Sequence, residues 1–254
     1  MKIPQISLLS PNPIIIQGVG TLKSPVLNEI YSSDIRNLSL YSLATHVLFG
    51  SKQDIIELGK NMGDNNTYNK LIEPDIEITS KFNLIINSVD LREALCEALA
   101  LFFCNKIVFS PENKCFLVLS VIDDKASIVG SINDDNYLFI EDLLKQLLHC
   151  ESEYSDNELK YSSDKAKELW EKVSQAEEKE KADVNARDYE IGNIVSKLCV
   201  CGIGYTVKNI YDLTVYQLYD QFSAYMQNRI SQLSENAYAH NGGEDFDINS
   251  WLRK

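Results

Sequence analysis

No stretch of this 254-residue chain approaches the roughly 20 consecutive apolar residues that cross a bilayer as a helix. The longest apolar run is "ALALFFC", Ala98 to Cys104. The opening "MKIPQISLLSPNP" has one lysine and an early proline, and it lacks the apolar core and small-residue cleavage site of a secretory signal. A basic patch is also missing. Lysines and arginines are interspersed with carboxylates, and the formal net charge is -13. Such a surface repels phosphate backbones, so nucleic acid is excluded as a general partner, as is a membrane. The expected setting is intracellular. Hydrophobic residues at 44% and charged residues at 24% are ordinary for a globular protein with a core of normal size.

Catalytic and metal motifs are incomplete. "GVG" (Gly18, Gly20) and "GIG" (Gly202, Gly204) do not extend to a dinucleotide fingerprint, and neither has the lysine and hydroxyl of a P-loop. They read as turns and helix caps. His46, His149 and His240 are scattered, with His46 and His149 inside predicted helices, and no serine sits in a nucleophile-elbow context. Cys199 and Cys201 form a pair without the second pair a zinc site needs. No metal and no cofactor is expected. The other cysteines are Cys96, Cys104, Cys115 and Cys150, and several lie inside apolar patterns where a free thiol acts as a small core residue.

What is present is a chain of three compositions, and the expected class is α+β. Residues 1–150 read as a mixed α/β domain with antiparallel strands. Residues 1–30, with "ISLLS" and "PIIIQGV", read as extended. Leu40, Leu43, Ala44, Val47 and Leu48 have helical spacing that stops at Gly50, and Ser51 caps a second helix. "NMGDNNTYN" (Asn61 to Asn69) is a polar loop, and "EPDIEITSKFNLIINS" alternates as one or two strands. "VDLREALCEALALFFCN" is a helix with the stripe Leu91, Leu95, Ala98, Leu99 and Phe102. "KIVFSPENKCFLVLSV" is a hairpin turning at "SPEN", "ASIVGSI" is a further strand, and "NDDNYLFIEDLLKQLLHC" is a helix capped near Asn133 to Asn136.

Half of the residues from Glu151 to Glu190 are charged, which marks 151–190 as a solvated linker helix whose Trp170 is an anchor or a partner contact. Residues 191–254 read as a helical C-terminal domain with a tail. Ile191, Ile194, Val195 and Leu198 share one face of a helix ending at Gly202. Thr214 to Gln217 fits a capping box, with Leu213 and Leu218 placed for a hydrophobic staple. Val215, Leu218, Phe222, Met226 (or Tyr225), Ile230 and Leu233 then form the core stripe, while Tyr216, Tyr219 and Asp220 fall beside it. Tyrosines with one wet edge suit interfaces, so Tyr216 and Tyr219 are candidate contacts. So are Phe246 and Trp251 in the tail that follows Gly242 and Gly243.

"NIYDLTVYQLYDQF", preceded by "IVSKLCVCGIGYTV" and followed by "AYAHNGGEDFDINSWLRK", resembles the C-terminal part of proteins encoded among the tail genes of tailed bacteriophages and prophages of Gram-positive bacteria. "SSDKAKELWEKV" is similar to the charged helix of that group. The resemblance covers the last third of the chain, and the first 150 residues share only its general plan. The Gly-Gly-Glu-Asp segment before the tryptophan departs from the alanine-rich form of the group. The resemblance implies virion morphogenesis without catalytic residues: a tail or baseplate assembly factor or chaperone that binds other tail proteins. Two alternatives remain, a structural subunit of the tail or baseplate, and an enzyme sited in the α/β region near His149, Asp134 or Asp135.

Overall fold

A computed structural model describes residues 1–30, 35–62, 79–122, 125–149 and 191–241. The fold is α+β, with antiparallel sheets of two and three strands among helices. The chain divides into two compact units. The first is Met1–Cys150 with Tyr211–Tyr216, and the second is Glu151–Ile210 with Gln217–Lys254.

The first unit opens with α1, Gln5–Leu9. The expectation of an extended "ISLLS" is therefore corrected. The Ser7 and Leu8 amides donate to the Pro4 carbonyl, and only Leu8 is buried. Five residues are too few for the isoleucine pattern to distinguish a turn of helix from a strand. The strands β1 (Ile14–Ile16) and β2 (Gly20–Leu22) pair antiparallel. A short α2, Leu27–Ile30, follows, and then α3, Ile35–Phe49. The next helix, α4, Lys52–Asn61, begins as its sequence indicated. The Ser51 hydroxyl accepts from the Asp54 amide, and the Asp54 carboxylate accepts from the Ser51 amide at 2.7 Å. The Ser51 amide, and after it the Ser51 hydroxyl, hydrogen-bonds the carboxylate and holds the Asp54 carboxyl below the ordinary aspartate range.

A second correction falls on "EPDIEITSKFNLIINS". Its described part is a helix, α5, Lys81–Ile86, capped by Ser80. Apolar residues in this short run are buried on every side, which erases the helical period. The long helix α6, Val89–Phe102, buries Leu91, Leu95, Ala98, Leu99 and Phe102 as expected and packs on α3, whose Ala44, Val47 and Leu48 are also buried. Three strands complete the larger sheet: β3 (Lys106–Ser110), β4 (Cys115–Ile122) and β5 (Lys125–Ile132), in the order β3-β4-β5. One sheet face joins the core, where Phe116 meets Phe82 edge-on at 6.1 Å and Phe82 meets Tyr137 at 5.3 Å. Then comes α7, Tyr137–Leu147. The turn before it is closed reciprocally, since each of Asn133 and Asn136 offers its side-chain oxygen to the other's amide.

The β1–β2 turn lies against β5. A Cβ at Gly130 would sit 2.6 Å from the carbonyl oxygens of Gly18 and Val19, so only glycine fits. The register of β5 on β4 shifts at Val118/Leu119, which leaves Val129 as the extra residue of a bulge beside that contact.

The interior of this unit also holds charge. Buried Lys81 donates to the Leu48 carbonyl at 2.6 Å and to Glu141 at 3.0 Å, and its ammonium lies 5.7 Å from the centre of the Tyr137 ring. The other Glu141 oxygen meets the half-exposed Lys145 at 2.7 Å. Burial holds the Lys81 pKa below the ordinary lysine value, although the Glu141 bond opposes this, and burial pushes the Tyr137 hydroxyl well above the ordinary tyrosine range. Gln146, also buried, ties in the start of the chain: it accepts from the Ile3 amide and donates to the Met1 carbonyl.

His149 lies past the end of α7, not inside it. It has φ 58 and its amide donates to the Gln146 carbonyl, half of a Schellman cap.

In the second unit, α8 (Ile191–Val200) buries Ile191, Ile194, Val195 and Leu198. The last helix, α9, runs Val215–Asn241. Val215, Leu218 and Phe222 are buried as the stripe predicts. Met226 is 40% exposed and leaves it, while Tyr225 is half-buried. The side chains of Ile230 and Leu233 lie outside the described residues. The segment 211–216, which includes the α9 start, belongs to the first unit. It lies antiparallel to residues 24–27: the Leu27 amide donates to the Leu213 carbonyl, the Val215 amide to the Pro25 carbonyl, and the Tyr216 amide to the Ser24 hydroxyl.

Candidate interaction site

The five sequence-derived contact residues separate. Trp170, Phe246 and Trp251, with the whole linker 151–190, lie outside the described residues. Tyr216 is 6% exposed, and its ring lies 5.1 Å from that of His149. It packs the first unit and offers almost no surface, which corrects its reading as a wet-edged contact. The error arose because the segment beside Tyr216 comes from residues 24–27, far away in sequence. Tyr219 is half-buried. Buried Asp220 lies on the covered side of α9 as well. Of the residues named for an enzyme, Asp134 accepts from the Ser80 hydroxyl and the Asn83 side-chain amide, so it braces the start of α5.

Sequence reasoning missed the loop that follows α8. The last residue of that helix, Val200, is 86% exposed. The chain then reverses through Gly202 (φ +71) and Gly204 (φ +94), left-handed conformations that favour glycine. Ile203 between them is exposed, and Val207 beyond them is 67% exposed. The loop around Val207 is held by polar bonds. The Asn209 side-chain oxygen accepts from the Thr206 amide at 2.7 Å and from the Thr206 hydroxyl at 3.1 Å. The Asn209 side-chain amide donates back to the Gly204 carbonyl, and the Asn209 and Ile210 amides both return to the Thr206 carbonyl. A polar clasp thus fixes the turn around Val207.

Other contacts tie the end of α8 to α9. Lys197 of α8 lies over the Phe222 ring at 5.9 Å, and the Tyr225 hydroxyl bonds the Cys201 side chain, which raises the Tyr225 pKa. The clasp orders the loop around Val207, so burying that side chain against a partner would release apolar surface from water without first freezing a coil. The signal in the sequence was the exposed spacing of Val200, Ile203 and Val207 around two glycines, which passes for an ordinary cap when helix spacing alone is scored.

No group of three or more metal-ligating side chains occurs among the described residues, and none of their helices is long and apolar enough to cross a membrane. Five of the six cysteines are described, and none of these forms a disulfide.

A family model described as the YomV second domain matches residues 178–254. YomV is encoded by a Bacillus prophage gene, and the match fits a phage-derived protein. No curated protein and no solved structure matches the chain.

Proposed function

We propose that this chain is a non-enzymatic bacteriophage morphogenesis protein that acts in tail or baseplate assembly by binding another tail protein through its C-terminal unit. The observation that carries the reading is the exposure of Val200, Ile203 and Val207 along the end of α8 and the loop after it, a loop that the Thr206–Asn209 clasp closes around Val207. The YomV second-domain match over 178–254 includes this loop and supports a phage setting. Interfaces concentrate their energy in a few apolar or aromatic anchors, and an ordered loop loses little freedom on docking.

The test is capture of identified tail proteins by the tagged full chain during phage development. The double variant Ile203→Asp/Val207→Asp is expected to lose about tenfold or more in affinity, the equivalent of about 1.4 kcal/mol, with an unchanged circular dichroism spectrum. Truncation after Gln232 should also abolish capture if the tail shares the interface. Retention of the same tail proteins by the double variant refutes this loop as the contact. Mass spectrometry of purified particles then decides between an assembly factor that leaves and a subunit that stays.

A further inference from the structure

We draw no further inference here: the strongest candidate, the aliphatic outer face of the β3–β4–β5 sheet with Val108, Val121 and Ile128 exposed on it, carries nothing because nothing in the structure shows what covers it.

Discussion

Lys81 shows how much one buried charge depends on its surroundings. Its ammonium has a carboxylate, a carbonyl and an aromatic face, which offset part of the desolvation cost inside the core. Removing Glu141 leaves that cation with a carbonyl and a ring. Glu141→Gln is therefore expected to cost about 3–5 kcal/mol, and Lys81→Met/Glu141→Leu to recover most of it, because neither charge is then stranded. Urea denaturation of the two variants checks this. The pH dependence has a definite sign. Burial depresses the folded-state pKa, so just below the ordinary lysine value of about 10.4 the unfolded chain binds more protons. Stability contributed by Lys81 must then rise with pH through its folded pKa. The gap in urea midpoint between wild type and Lys81→Met should move in that direction across the alkaline range. Wild type alone would mislead, because Tyr137 opposes the trend once unfolded tyrosine ionises.

Among the elements, those that local chemistry determines were legible from sequence. The Ser51 cap needs only Asp54 three residues on, and the α6 stripe repeats at its own helical period. The β3–β4 hairpin is equally local. Elements decided by distant partners were not legible. The α5 segment looked extended because its neighbours bury it all round, and Tyr216 looked exposed because nothing nearby in sequence reveals Ser24–Leu27. Gly130 belongs to the same class, as an unremarkable strand glycine whose reason lies at Gly18 and Val19. Gly130→Ala must push the β1–β2 turn off β5, since the added carbon meets two carbonyl oxygens at 2.6 Å. The expected cost is about 1–3 kcal/mol, as for other overpacked sites. Faster amide exchange at Ser131, which bonds Gly18, would localise the damage to that contact.

For the whole molecule, sequence composition marks a break near residue 150, yet the first unit also takes in Tyr211–Tyr216. That short segment brings buried Thr214, Val215 and Tyr216 to it. Burying Val215 and Tyr216 is worth about 1.5–3 kcal/mol for each side chain, before main-chain pairing is counted. A fragment ending at Cys150 should therefore unfold at lower urea than the first unit does in the full chain. Coincident transitions for the fragment and for the full chain, followed at the core rings Phe82, Phe116 and Tyr137, would show that the segment contributes nothing.

The same insertion governs when the protein can finish folding as it is made. Tyr216 and Ser24 are 192 residues apart, a long loop to close. A ribosome that adds about 5–20 residues per second emits the segment several seconds after Cys150. During that wait the nascent body holds Ser24–Leu27 without their partner strand. The backbone groups of Leu27 and Pro25 are then open to any passing chain, and the slow, topology-limited step of folding comes at the end of synthesis.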